Sequence, residues 1–200
     1  MEEKKLAGLE PGAVFEYFEA LCAIPHGSHN TKAISDFLVD FAKKQQIRYI
    51  QDESNNIILF ADGTCGLEGH EPVVLQGHMD MVCEKDEGCP IDMDTQGLDL
   101  CHDNLCVFAK GTTLGGDDGI AVAYAMALIA DRTIPHPPLE VIITVDEEIG
   151  MLGADVIDVS MLKGRKMINL DSEDEGIFTV ACAGGATATI SLNVNRKAVY

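Results

Sequence analysis

Basic residues are scarce in this chain, with 14 Lys and Arg against 33 Asp and Glu, a formal charge of −19. That shortage argues against nucleic acid or an anionic membrane as partner, because both are held through basic patches that release counterions. Paired-cysteine spacing is also missing. The seven cysteines (22, 65, 83, 89, 101, 106 and 182) are odd in number and contain no C-x-x-C, so neither a disulfide framework nor a zinc-finger pattern is indicated. No long apolar run occurs. The longest, Ile120 to Ala130, is too short to span a bilayer, and the N-terminal MEEKKLAGLEPG lacks an apolar signal core. Repeats and low-complexity tracts are absent as well. A cytoplasmic protein is expected, and 200 residues suffice for one sizeable core or one core and the start of another.

What the chain does contain is 46% apolar and 24% charged residues, ordinary values for a globular protein. Gly12 to Ile24 reads as a helix ending before Pro25. Thr31 to Gln45 reads as a second helix, with Ile34, Phe37, Leu38 and Phe41 on one face and Asn30 as its N-cap. A short strand pair is expected around DESNN, from Tyr49-Ile50 and Asn56 to Phe60. Val73 to Gly77, Leu139 to Val145 and Met167 to Leu170 are apolar runs of strand length, and Glu84 to Cys106 is an irregular connection. Ile120 to Ala130, apolar on every side, suits a central helix sandwiched by other elements. Continuous apolar strands alternating with helices predict an α/β fold, a mostly parallel sheet with helices on both faces. Ile190, Leu192 and Val194 alternate with polar residues and predict a half-exposed strand of a second sheet beginning at about Gly184. The expected organisation is therefore a domain over 1–183 and the start of another over 184–200.

Acidic clusters stand at or near the ends of these runs. They are LQGHMDMV (His78, Asp80), TTLGGDDGI (Asp117, Asp118), TVDEEIGMLGA (Glu147, Glu148) and NLDSED (Asp171). Ligand sites in open α/β sheets lie beyond the carboxyl ends of the strands, so these residues are placed to converge. Carboxylates there are costly to desolvate unless positive charge stands between them, and two divalent metal ions would supply it. An imidazole with carboxylates suits Zn²⁺, with Mn²⁺ or Co²⁺ as substitutes. Asp80 can accept the other ring N–H of His78 or steer it through the local backbone. Asp117 is the candidate bridge between two metals. One of the adjacent Glu147 and Glu148 can ligate while the other takes a proton from water. Each motif alone has a plainer reading: a surface turn for His-x-Asp, a helix cap for Gly-Gly-Asp-Asp, a solvated helix start for Glu-Glu. Their joint occurrence is what points to a two-metal hydrolase. The remaining histidines, 26, 29, 70, 102 and 136, lie in polar or Pro/Gly-rich segments and are expected to be exposed.

These motifs in this order, together with AIPHGSHNTKAISDFL and the CAGG before the last alternating segment, resemble the di-zinc peptidase family. That family includes aminoacyl-histidine dipeptidases, tripeptidase T and glutamate-releasing carboxypeptidases, and the likeness is strongest to the bacterial Xaa-His dipeptidase branch. The resemblance implies that His78, Asp117 and Asp171 bind one metal, and Asp117 and Glu148 the other. It also implies Asp80 as the residue orienting His78, Glu147 as general base and a cis peptide bond at Asp117–Asp118. Zinc as the metal and a short peptide, such as the Xaa-His dipeptide carnosine, as substrate are implied with them. Family members are longer, with a lid domain through which a homodimer can form and a later histidine that completes the second metal. The chain is therefore expected to be an N-terminal fragment, with an incomplete catalytic domain and the first lid strand, and to be poorly active alone. A tripeptidase, carboxypeptidase or amino-acid deacylase of the same family, or a non-catalytic metal-binding module, stays open at this point.

Overall fold

A computed structural model describes residues 4–103, 105–172, 176–181, 184 and 188–194. The elements in chain order are α1 (Gly12–Cys22), α2 (Lys32–Gln45), β1 (Arg48–Gln51), β2 (Ile57–Ala61), β3 (Val73–His78), β4 (Leu100–His102), β5 (Val107–Ala109), α3 (Gly116–Ala130), β6 (Leu139–Thr144), α4 (Leu152–Val156) and β7 (Lys166–Asn169).

Five strands form one sheet in the order β1-β2-β6-β3-β7. Its core is parallel, with β3 paired to both β6 and β7, whereas β1-β2 and β2-β6 are antiparallel. Strand alternation sorts the side chains. Ile57, Leu59, Leu75, Leu139, Val141 and Ile143 join one cluster with Phe18 and Leu21 of α1, Leu38 and Phe41 of α2, and Val122 and Met126 of α3. Three helices therefore cover one face. Ile58, Val74 and Ile142 are also buried but lie on the other face. There the loop before β7 folds over them. The Glu140 carboxylate accepts the backbone N–H groups of Lys163 and Gly164, and a Cβ on Gly164 would collide with Val74.

The α/β fold with a parallel sheet core expected from the apolar runs is present, with α1, α2 and α3 on one face, and several local expectations change. Asn30 is not the N-cap of α2: its side-chain amide donates to the Asp94 carbonyl oxygen at 2.9 Å, and Thr31 takes the cap position. The expected irregular stretch contains β4, which pairs with β5 in a small hairpin. Asp103 Oδ1 closes that turn by accepting the N–H groups of Leu105 and Cys106, a side-chain turn that hydropathy does not register. His26 and His136 are buried, not exposed as expected. Each is satisfied locally, His26 Nδ1 against the Ile24 carbonyl oxygen and His136 Nδ1 against that of Pro137.

The alternation at Ile190, Leu192 and Val194 makes no strand in the described residues 188–194, and all three side chains are exposed. A strand needs a ladder partner, and no described strand lies beside that segment. The boundary expected at 184 is flanked by positions outside the described residues (182, 183 and 185–187), as are residues 173–175 of the acidic loop. Among the described residues, Met167 and Ile168 of β7 are exposed, as are Phe178 and Val180 further along the chain. No described helix is long and apolar enough to cross a membrane.

Candidate metal centre

Because β3, β6 and β7 run parallel, their carboxyl ends lie at one edge of the sheet, and the residues just past them meet there. His78 is the last residue of β3 and is fully buried. Its Nε2 lies 3.0 Å from Asp117 Oδ1 and 3.9 Å from Glu147 Oε2. Its Nδ1 faces Asp80, 3.0 Å from the backbone carbonyl oxygen and 3.4 Å from Oδ1. Asp80 thus contacts the ring through both its backbone oxygen and its carboxylate. Asp117 reaches the site from the non-helical start of α3. Gly115 turns the chain at φ 69°, Asp117 and Asp118 keep non-helical dihedrals, and the Asp117–Asp118 peptide bond is cis, as the resemblance implied.

Two groups of side chains offer one ligand atom each, all within 4.8 Å of one another: His78 with Asp117 and Glu148, and His78 with Glu147 and Asp171. The three carboxylates expected to bind metal, Asp117, Glu148 and Asp171, are thereby gathered around the His78 imidazole. In the second group Glu147 stands with His78 and Asp171.

Electrostatics fit a cation at this spot. Burial, the repulsion of Asp171, Asp80 and Asp117, and only partial relief from His78 hold Glu147 above the usual carboxylate range. Burial and Asp117 do the same to Glu148. Burial alone would lower the His78 pKa, but the hydrogen bond and charge of Asp80, with the charges of Asp118 and Asp117, drive it up to about 9. Burial also works against an ionised Asp80, yet hydrogen bonds from His78, the Glu147 N–H and the Ser28 hydroxyl overcome it and hold its pKa low. One imidazole among this many carboxylates is an oxygen-rich, electron-rich donor set of the kind that Zn²⁺ and similar ions accept.

Three contributors had no role assigned from the sequence, Asp118 being named there only as part of its cluster. Asp118 is buried, and its Oδ2 accepts the His78 backbone N–H at 3.1 Å. Burial raises its pKa to about 7 despite the nearby His78 charge. Ser28 donates its hydroxyl to Asp80 Oδ2 at 2.8 Å. Asn56 bonds both ends of the β6 turn, accepting from the Val145 N–H and donating to the Gly153 carbonyl oxygen. The doubled aspartate of Gly-Gly-Asp-Asp was the available signal for Asp118; Ser28 and Asn56 act on residues far away in sequence and had none.

Residues 74–187 match the model of a family described as peptidase family M20/M25/M40, and the chain belongs to that family. Cytosol non-specific dipeptidase of Escherichia coli (strain K12) is 38% identical to it over 195 residues, covering 98% of this chain and 40% of that protein. Peptidase T of Vibrio cholerae is 37% identical over 98 residues, 46% of this chain and 24% of that one. Among solved structures, aminoacylhistidine dipeptidase from Vibrio alginolyticus superposes with a TM-score of 0.82 at 38% identity, over 86% of this chain and 35% of that chain. The chain thus spans about 40% of the length of the Escherichia coli relative.

Proposed function

We propose that this chain carries the metal-binding side of a dinuclear, zinc-dependent dipeptidase that hydrolyses short peptides, Xaa-His dipeptides such as carnosine foremost. The observation that carries the reading is the convergence of His78, Asp117, Glu147, Glu148 and Asp171 at the carboxyl ends of three parallel strands. The names of the Escherichia coli and Vibrio alginolyticus proteins support the dipeptidase class, and the former supports a cytosolic setting.

Bound divalent ions would polarise the scissile carbonyl and lower the pKa of water to roughly 7. His78 Nε2, Asp117, Glu148 and Asp171 are the residues that would hold them. Asp80 fixes the imidazole by taking its Nδ1 side, which turns Nε2 toward the carboxylates. Glu147 is the general base. Its carboxylate stands at the cluster with a raised pKa, so it can hold a proton taken from water and pass it to the leaving amine.

The experiment is metal analysis with zinc, manganese and cobalt, followed by carnosine hydrolysis by a full-length version of the protein, as long as the Escherichia coli relative, and by its Glu147→Gln variant. Loss of about 10²–10⁴-fold in kcat with metal content retained is expected for a general base. A variant as active as the parent would remove Glu147 from that role. Similarity to peptidase T keeps a tripeptidase as the second reading. Faster cleavage of tripeptides than of Xaa-His dipeptides would favour it.

A further inference from the structure

Strand β6 ends at Thr144, yet the two glutamates that follow must reach back to His78 on the neighbouring strand. The chain makes that reversal at Asp146, whose φ of 54° lies in the left-handed region. Aspartate tolerates this region better than most residues, but the conformation still needs support. The support comes from the loop between α1 and α2. Asp146 Oδ1 accepts the His29 backbone N–H at 2.6 Å, and Oδ2 lies 3.6 Å from His29 Nδ1. One residue earlier in the same loop, Ser28 grips Asp80 Oδ2, while the other oxygen of Asp80 accepts the Glu147 N–H at 3.1 Å. The loop is in turn fastened to the residues after β3, through the Met81 N–H to the His26 carbonyl oxygen. On its far side the turn closes on itself, with the Gly150 and Met151 N–H groups donating to the Glu147 carbonyl oxygen and the Leu152 N–H to that of Asp146.

Two consecutive loop residues therefore hold two carboxylates that bracket the Glu147-Glu148 turn, and only Asp80 was assigned a role above. We propose that Asp146 is a positioning residue: clasped by His29, its carboxylate sets the turn that aims Glu147 and Glu148 at His78. This rests on the metal-site reading for its consequence, but the clasp itself is a property of the fold and can be tested separately.

The test compares Asp146→Ala, Asp146→Asn and Asp146→Gly in the full chain, with circular dichroism confirming the fold. Residue-resolved amide exchange at His29 and Glu147 reads the clasp, and calorimetric titration with Zn²⁺ reads its consequence. Asp146→Ala should lose protection at both amides and weaken Zn²⁺ binding by about 10-fold, the usual cost of removing a group that orients metal ligands. Asp146→Asn, which keeps an acceptor for the His29 N–H, should retain protection and most of the affinity. Asp146→Gly relieves the backbone but has no acceptor, so it should behave like Ala; it also serves in its place if Ala does not fold. Unchanged protection at His29 and Glu147 in the Ala or Gly variant overturns the clasp, whatever the metal does. A parent chain that binds no Zn²⁺ overturns the metal reading instead, while the exchange data still decide the role of Asp146.

Discussion

Gly77 precedes His78 in β3, and the space where its side chain would stand is filled by Asp118 Oδ2, with Ala121 Cβ 3.1 Å away. Close approach of the α3 loop to the strand requires a residue without Cβ there. Gly77→Ala should therefore destabilise the chain by about 1–3 kcal/mol through overpacking, measured by urea unfolding. Cys22, buried in the helical layer beside Glu19, shows a second residue-scale effect. Burial, then the Glu19 charge, pushes its thiol up to about 12 from an ordinary 9.0. Between those values the unfolded chain has lost the proton that the folded chain keeps. Cys22 thus contributes stability that is complete below about pH 9 and is lost as pH rises toward 12. A Cys22→Ala variant should show a shallower fall in stability across that window, whatever cavity cost it carries at neutral pH. Thiol titration at pH 8 should leave Cys22 unmodified until the fold is opened.

At the scale of elements, hydrophobic period decided most of what could be read. The apolar face of α2 at Ile34, Leu38 and Phe41 packs as its spacing predicts, because residues three and four apart on a helix share a side regardless of what lies opposite. Leu38 is fully buried, so Leu38→Ala should cost about 2–5 kcal/mol in chemical denaturation, while exposed Lys44→Ala should stay within about 0.5 kcal/mol. Where elements were missed, polar geometry rather than period made them. The β4–β5 hairpin depends on the Asp103 side chain, and the N-terminus of α2 on Asn30 being drawn away to Asp94. Neither partner choice leaves a mark on a hydropathy pattern.

Over the whole molecule, a charge of −19 and a crowd of carboxylates at one sheet edge make stability sensitive to cations. Metal bound to the folded chain alone would add about 2.7 kcal/mol at a free concentration 100 times Kd. Zn²⁺ added to chelator-treated protein should raise Tm, and sodium chloride at equal ionic strength should raise it much less, since screening is not coordination. Equal shifts from both salts would show that only general charge repulsion is being relieved. The Asp117→Asn and Asp171→Asn variants should each lose most of the Zn²⁺-specific part of the shift.

The sequence alone determined the helices and strands with strong apolar period, the parallel core of the sheet and the set of residues that meet at its edge. Those features follow from neighbours along the chain and from the general rule that places sites beyond the carboxyl ends of parallel strands. Tertiary structure alone decided how that set is grouped around His78, that Asp118 lies beneath Gly77, that His26 and His136 are buried, and that Ser28 and His29 hold Asp80 and Asp146. Each of these depends on packing between segments far apart in sequence: Asp118 bonds His78 across 40 positions and Asp146 bonds His29 across 117. Side-chain period records which face a residue turns toward the core, but not which distant polar atom it finds there.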